Sequence, residues 1–212
     1  SSIQVVTEEI VLRMASYTRD MTGQKNLCLS GGVALNCVAN GKLLDSGLFD
    51  RIWVQPASGD AGGALGCALF AHYQLLKQER VPEETDSMRG SYLGPSFGER
   101  NIREFLEKEN APYHFYENED ELLNFTAQKI AQENIIGWFN GRMEFGPRAL
   151  GSRSILGNAK SHKTQKNLNL KVKFRESFRP FAPSVLEEEC SKWFDLNVSS
   201  PYMLLVSEIN ES

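Results

Sequence analysis

The stretch from Gly141 to Ser154 constrains the fold more than any other part of this chain. It reads GRMEFGPRALGSRS and holds three arginines, three glycines and one proline. Each glycine in a helix interior costs roughly 1 kcal/mol relative to alanine, and a Gly-Pro step is disfavoured inside a strand. We therefore expect a shaped loop whose backbone approaches a ligand closely. Its arginine side chains match the oxygens of phosphate or carboxylate two hydrogen bonds at a time.

The basic character of this loop extends towards the C-terminus. Residues 137–183 contain ten basic and two acidic residues, so this segment carries +8 in a chain whose formal net charge is −4. Such asymmetry predicts a local polyanionic ligand rather than a protein that coats nucleic acid. A solvated basic face accounts for the lysines outside the glycine-rich loop, which are Lys160, Lys163 and Lys166.

Composition narrows the remaining classes of protein. The chain has 212 residues, of which 41% are hydrophobic and 24% charged, as in ordinary globular domains. No apolar run approaches the roughly 18 residues that span a bilayer, so no membrane segment is expected. The four cysteines form no Cys-x-x-Cys pair, which predicts buried reduced thiols and a cytoplasmic location. The histidines lack zinc-ligand spacing.

Helices and strands alternate in the first eighty residues. Hydrophobic periodicity predicts helices over 7–21, 33–46 and 61–76, and strands over 26–30 and 51–55. This order favours an α/β layered sheet.

Both predicted strand-to-helix turns are rich in glycine. The first, Ser30-Gly31-Gly32, is either a plain tight turn or a phosphate site at a helix N-terminus. The second places Asp60 at a helix start, where it is either an N-cap or a ligand of a metal or nucleotide. The small residues that follow predict close packing of that helix.

Residues 79–91 lack apolar periodicity and read as a linker. We place a boundary near residue 85, which separates a domain over 1–85 from one over 86–212. Beyond the boundary, patterns predict helices over 99–109, 120–132, 162–172 and 187–194, and strands over 113–116, 135–139, 184–186 and 202–209.

Four motifs resemble those of a known family. Residues 145–156, FGPRALGSRSIL, and residues 172–183, VKFRESFRPFAP, resemble two signatures of the O-carbamoyltransferases of nodulation and antibiotic biosynthesis. Residues 29–36, LSGGVALN, and residues 59–66, GDAGGALG, resemble the nucleotide-domain motifs of the same family. The resemblance covers most of residues 25 to 190.

The resemblance implies a fold as well as a family. Residues 1–85 would supply the second lobe of an actin/hexokinase-like domain, a fold shared with tRNA threonylcarbamoyl transferases. Residues 86–212 would supply a YrdC-like open α/β domain. The first lobe of the actin-like domain would lie upstream, so the chain is expected to be a fragment that spans parts of both domains and cannot complete transfer by itself.

The family's chemistry implies ligands and site residues. ATP and carbamoyl phosphate would form carbamoyl adenylate, and the carbamoyl group would pass to a hydroxylated small-molecule acceptor with the help of a metal, expected to be iron. Nucleic acid is not an expected partner, and a homodimer is left open. The implied catalytic residues are Arg148, Arg153, Lys173 and Arg179. The implied nucleotide-binding residues are Gly31, Gly32, Asn36, Arg142, Gly146, Gly151, Ser154 and Arg175. The implied metal ligand is Asp60, with the remaining ligands outside this chain.

Two alternatives remain beside this reading. The chain is alternatively a non-catalytic nucleotide- or RNA-binding module, although its aromatic residues do not alternate with the basic ones as an RNA stacking platform requires. An actin-like sugar kinase is the other alternative, but the two arginine signatures have no place in it.

Overall fold

The computed structural model describes residues 2–83 and 85–210, which divide into two compact units. Unit 1 comprises Ser1–Ser91, Phe145–Arg148 and Val185–Ser212, and unit 2 comprises Tyr92–Glu144 and Ala149–Ser184. The arginine-rich loop is therefore shared, because its central four residues belong to unit 1. The boundary predicted near residue 85 stays a prediction, since packing units and evolutionary domains need not coincide.

Unit 1 is built around two parallel strands, with Asn26 opposite Arg51 and Leu29 opposite Val54. Its elements in chain order are α1 (Ser2–Thr22), β1 (Asn26–Leu29), a 3-10 turn (Gly32–Leu35), α2 (Cys37–Asp45), β2 (Arg51–Val54), α3 (Asp60–Phe70) with a π-helical extension (Ala71–Leu75), a 3-10 turn (Arg89–Ser91), a 3-10 turn (Glu187–Glu189) and α7 (Cys190–Trp193). The predicted alternation of helices and strands over the first eighty residues is confirmed.

The core of unit 1 lies between the first two helices and the parallel strands. Ala15 of α1, Leu43 of α2 and Phe49 before β2 are buried together. Full burial of a side chain such as Leu43 stabilises the fold by roughly 1.5–3 kcal/mol. The partly buried side chains around them are Val11, Leu12, Leu27, Leu29, Leu48 and Ile52. This packing fixes β1 and β2, and hence the turns that follow them.

Unit 2 contains an antiparallel strand pair in which Phe139 lies opposite Arg153 and Ile136 opposite Leu156. Its elements in chain order are α4 (Glu99–Lys108), α5 (Glu119–Ala131), β3 (Ile136–Phe139), β4 (Arg153–Leu156) and α6 (Thr164–Asn167) with a π-helical extension (Leu168–Val172). The architecture is α/β, as predicted. The actin/hexokinase-like and YrdC-like assignments stay predictions.

The strands observed beyond residue 85 differ from the predicted ones. The arginine stretch is a loop only as far as Ser152, because its last residues open β4 and pair with β3. Three predicted strands, 113–116, 184–186 and 202–209, are not strands, although Ile209 forms a single bridge with Phe194. Strand propensity is expressed only where a partner strand lies alongside, and spacing within a segment does not reveal its partner.

The cysteines are free, but the burial predicted for them is wrong at two positions. Cys28 and Cys67 are exposed. Cys67 lies on α3, and none of the described residues of this helix is buried. The close packing predicted from the small residues of α3 therefore does not extend along the whole helix. Among the described residues, no helix combines the length and the apolar character that a membrane span requires.

Candidate functional site

In unit 1 the two glycine-rich turns lie at one edge of the parallel strands. The backbone N–H of Gly31, just after β1, donates a hydrogen bond to the carbonyl oxygen of Ser58, just after β2, at 2.9 Å. Gly31 has φ +95°, a conformation that glycine adopts most readily. Ligands of open α/β sheets bind at this carboxyl-terminal edge of the strands. The structure therefore brings the predicted nucleotide residues Gly31 and Gly32 next to the loop that leads to Asp60.

Ser58 is a candidate site residue that sequence reasoning missed. Its side chain is only 5% exposed, and its Oγ finds no hydrogen-bond partner among the described residues. A buried polar atom without a partner costs roughly 1–3 kcal/mol. A ligand oxygen at the turn would supply that partner. The only signal in the sequence was the position of Ser58 beside Gly59 and Asp60.

Asp60 opens α3 with an exposed carboxylate. The N-cap of this helix is Gly59, so the interpretation of Asp60 as an N-cap is wrong. Within residues 2–83 and 85–210, no group of three or more histidine, cysteine, aspartate or glutamate side chains lies together to hold a metal. The described side chains therefore do not build a metal centre around Asp60, and its role as a ligand stays a prediction.

Asn36, another predicted nucleotide residue, has a local structural role. It caps α2 by accepting the N–H of Ala39 at 3.1 Å. Its side-chain amide also donates to Gln4 Oε1 at 2.9 Å and accepts from Gln4 Nε2 at 3.2 Å. The amide is thus engaged on both sides by α1 and α2, and contact with a nucleotide stays a prediction.

Arg148 lies in unit 1, beside the first glycine turn. Its Nη2 donates a hydrogen bond to the carbonyl oxygen of Leu35 at 3.1 Å, and Leu35 ends the 3-10 turn that starts at Gly32. Its Nε is buried and has no partner among the described residues. Gly146 packs against the segment that follows β2, since a β-carbon on Gly146 would lie 3.4 Å from the carbonyl oxygen of Pro56. Arg148 is therefore a residue of unit 1, whereas the other predicted cations are residues of unit 2.

The arginines of the loop that remain in unit 2 differ in what they contact. The Arg153 guanidinium lies 3.4 Å from the ring centroid of Phe139. Its Nη1 donates to the carbonyl oxygens of Asn140 and Gly141 at 3.1 and 3.3 Å. Arg153 thus closes the turn after β3. Arg142 lies in this turn, is exposed, and forms no ion pair with a described residue, so its guanidinium is open to a ligand.

The loop in unit 2 is organised by Glu144, which the sequence analysis did not select. The side chain is 8% exposed, and its Oε1 accepts the backbone N–H groups of Leu150 and Ser152, each at 2.7 Å, and of Arg153 at 3.3 Å. Burial alone would raise the pKa of Glu144, but these N–H groups outweigh burial and hold the pKa below its ordinary value of 4.5. The signal in the sequence was an acid inside the most basic stretch.

Two further residues of the predicted site lie in the same turn. Gly151 has φ +109°, and its N–H donates to Ser154 Oγ at 2.9 Å. Ser154 pairs with Trp138 in the register of β3 and β4. The Ser154 hydroxyl therefore supports the turn that begins β4.

The second arginine signature folds around Asn169, which is fully buried and which sequence reasoning also missed. Asn169 Nδ2 donates to the carbonyl oxygens of Ser177 and Arg179 at 3.2 and 2.8 Å. Its Oδ1 accepts the Nε of Arg175 at 2.7 Å. Arg179 Nε donates to Glu176 at 2.9 Å. These bonds hold the segment in shape.

Lys173 completes the second signature. It is exposed and forms no ion pair with a described residue. Of the five predicted site cations in unit 2, Arg142 and Lys173 are the two whose side chains form neither an ion pair nor a hydrogen bond with a described residue, since Arg153, Arg175 and Arg179 are all hydrogen-bonded. Both lie on segments that buried polar side chains hold in place.

Comparison with known proteins identifies the family to which this chain belongs. Residues 1–69 match the model described as the carbamoyltransferase N-terminus, and residues 127–212 match the model described as the carbamoyltransferase C-terminus. An uncharacterized protein of Synechocystis sp. is 53% identical over 213 residues, covering 100% of this chain and 34% of that protein. Nodulation protein NolO of Bradyrhizobium diazoefficiens is 42% identical over 218 residues, covering 100% of this chain and 38% of that protein.

Nodulation protein U of Rhizobium tropici is more distant. It is 36% identical over 200 residues, covering 94% of this chain and 32% of that protein. The chain thus spans about a third of the length of the curated relatives it matches.

Proposed function

This chain belongs to the carbamoyltransferase family, together with relatives among the nodulation proteins, and we propose that the protein makes carbamoyl adenylate from ATP and carbamoyl phosphate. The carbamoyl group then passes to a hydroxyl of a small-molecule acceptor. Beyond the family itself, one observation carries the proposal. In unit 2 the exposed guanidinium of Arg142 lies on a glycine-shaped loop that a buried carboxylate holds in place. Such a loop suits the phosphate oxygens of a nucleotide.

The proposed reaction balances in three steps. Water cleaves carbamoyl phosphate to carbamate and inorganic phosphate. A carbamate oxygen then bonds to the α-phosphorus of ATP, the bond from that phosphorus to the bridging oxygen breaks, and pyrophosphate leaves. Finally the acceptor oxygen bonds to the carbamoyl carbon, AMP leaves with the electron pair of the broken C–O bond, and the hydroxyl proton passes to solvent.

Negative charge shifts onto the departing pyrophosphate in the second step, and fixed cations stabilise that charge. In this proposal Arg142 and Lys173 contact the phosphate oxygens. Arg153, Arg175 and Arg179 hold the two signatures in shape through the bonds described above, and their direct contact with ATP remains a prediction.

Unit 1 offers a second set of groups for the transfer step. The 3-10 turn that follows β1 begins at Gly32, and the first N–H groups of a helical turn have no partner inside it. Ser58 Oγ and the Nε of Arg148 are also without a partner among the described residues. These groups suit the phosphate of the adenylate. Because the described side chains form no metal centre, no step is assigned to iron.

The decisive test measures pyrophosphate release by the intact protein from ATP, with and without carbamoyl phosphate. We expect release that depends on carbamoyl phosphate. Arg142→Ala and Lys173→Ala should each lower ATP affinity about ten- to a hundredfold, the value of one charge-assisted hydrogen bond of roughly 1.5–3 kcal/mol. Lys160→Ala, on the solvated face, is the matched control.

Two results would refute the proposal. One is the absence of carbamoyl-phosphate-dependent pyrophosphate release from the folded protein. The other is tight, strongly salt-dependent RNA binding in place of nucleotide turnover, since that behaviour marks a module that neutralises a nucleic-acid backbone.

A further inference from the structure

We propose that Glu144 is a positioning residue of the nucleotide site: its carboxylate fills an anion-binding nest made by the backbone of the arginine loop, and so sets the shape in which the loop receives ATP. The inference deepens the proposed function and rests on it. Glu144 itself does not touch the nucleotide. It acts through the backbone of residues 150–153, and its effect reaches the ligand through that backbone.

The contacts of Glu144 point to the backbone as its target. Three N–H groups converge on its Oε1, from Leu150, Ser152 and Arg153, at 2.7, 2.7 and 3.3 Å. Although it lies in a segment of net charge +8, Glu144 forms no ion pair with a lysine or arginine among the described residues. Ion pairing with the cations of the loop therefore does not hold the Glu144 side chain in place.

Convergent backbone N–H groups form concave sites that bind anions. Here the anion is the protein's own carboxylate, at 8% exposure. A fixed negative charge close to a phosphate-binding loop opposes ligand binding through its Coulomb interaction with the phosphates. Its presence is favourable only if the shape that it imposes on the loop outweighs that repulsion.

The chain before Glu144 is also fixed. The N–H of Gly94 donates to the carbonyl oxygen of Met143 at 2.9 Å, and the N–H of Met143 donates to the carbonyl oxygen of Pro95 at 2.9 Å. A β-carbon on Gly94 would lie 2.8 Å from that Met143 oxygen, so this contact is close. Glu144 thus lies at the end of a segment that is held by hydrogen bonds, and its carboxylate links residues 141–144 of the loop to residues 150–153.

This link has a consequence for the ligand-binding side chains. Residue 142 lies in the segment before Glu144 and residue 153 in the segment after it, and the carboxylate links these two segments. Without it, the three N–H groups lose their shared acceptor, the Gly151 turn is released, and the guanidinium of Arg142 is no longer held at a fixed place. Binding of ATP would then require ordering the loop at the moment of binding, which lowers affinity.

The test compares three variants of the intact protein, Glu144→Ala, Glu144→Gln and the control Glu121→Gln, which changes an exposed glutamate of α5. Amide hydrogen exchange of the peptide over residues 149–154 reports on the loop, calorimetry gives ATP affinity, and thermal unfolding reports on the fold.

In Glu144→Ala we expect faster exchange of that peptide and ATP affinity lower by about tenfold or more. Glutamine keeps one acceptor oxygen, so Glu144→Gln should recover part of both losses. Glu121→Gln should match the wild type in both.

Each other outcome is decisive. Unchanged amide hydrogen exchange in Glu144→Ala would show that the carboxylate does not hold the loop, which would overturn the proposal. Faster exchange with unchanged ATP affinity would confine Glu144 to the fold and overturn its role towards the ligand. Higher ATP affinity would mean that the carboxylate competes with phosphate for the nest, which also overturns the proposal. If the folded wild type itself binds no ATP, the proposed function fails and the ligand part of this inference fails with it, whereas exchange still decides whether the carboxylate holds the loop.

Discussion

Gly62 packs directly against Ala57: a β-carbon added to Gly62 would overlap the Ala57 carbonyl oxygen. This contact joins the first turn of α3 to the segment that carries Ser58. The N–H of Gly62 also donates to the carbonyl oxygen of Gly59 at 3.1 Å. The second glycine-rich turn is therefore shaped by a close approach that only a residue without a side chain permits.

Gly62→Ala should destabilise the protein by about 1–3 kcal/mol, because an extra carbon at a closed contact forces the backbone to shift. Gly63→Ala is the matched control on the same helix, since a β-carbon there would meet no atom within 4 Å. It should be neutral or stabilise by up to about 1 kcal/mol through helix propensity. Urea unfolding of both variants measures the difference, and equal stabilities would show that the approach of Gly62 to Ala57 is not fixed.

Arg148→Ala should weaken nucleotide binding by about ten- to a hundredfold if its free Nε meets a phosphate oxygen. Calorimetric titration of the intact protein with ATP measures this. Arg148→Lys keeps the charge but not the planar fork, so it should restore only part of the affinity. Unchanged affinity in the alanine variant, with stability alone reduced, would leave Arg148 only its bond to Leu35.

Asp60→Asn tests the metal role. The N-cap of α3 is Gly59, and asparagine differs from aspartate here mainly by its lost charge, so the fold should be kept. If Asp60 is a metal ligand, the variant of the intact protein should lose bound iron and carbamoyl transfer together. Metal content by elemental analysis is the first readout, and Asp50→Asn, another exposed aspartate, is the control. Full metal content in the Asp60 variant would exclude this ligand.

Glu144 should make the protein sensitive to acid. Since its pKa is lower in the folded state than its ordinary 4.5, its contribution to stability is complete above pH 4.5 and is lost as pH falls through the lower, folded value. Glu144→Gln should therefore be less stable than the wild type near neutral pH, with a smaller loss of stability on acidification. Unfolding free energies at several pH values between 3 and 7 measure this, and Glu121→Gln should keep the wild-type slope.

The sequence alone predicted the family correctly. Resemblance to the carbamoyltransferases of the nodulation-protein type rested on four motifs, and the family matches confirm it. These motifs are runs of neighbouring residues, so they can be read without knowing what lies opposite them. The elements of the first eighty residues were also predictable, because helical periodicity and glycine-rich turns are local properties.

Other features of the site were decided by contacts between distant positions. Neither the strand at Arg153–Leu156 nor the structural role of Arg153 over Phe139 follows from spacing, because both depend on the pairing of β4 with β3. The buried roles of Ser58 and Asn169 depend likewise on what surrounds these side chains in the fold.

Arg148 shows most clearly what each source determines. Its chemistry follows from the sequence, because the planar fork of a guanidinium matches the oxygens of phosphate or carboxylate. Its position does not, since the hydrogen bond to Leu35 joins residues 113 positions apart. Local spacing sets the preferences of the backbone and the charge of a segment, whereas only the tertiary structure brings separate segments together. It therefore placed Arg148 beside the Gly31-Gly32 turn, and it placed the carboxylate of Glu144 against the backbone of the loop.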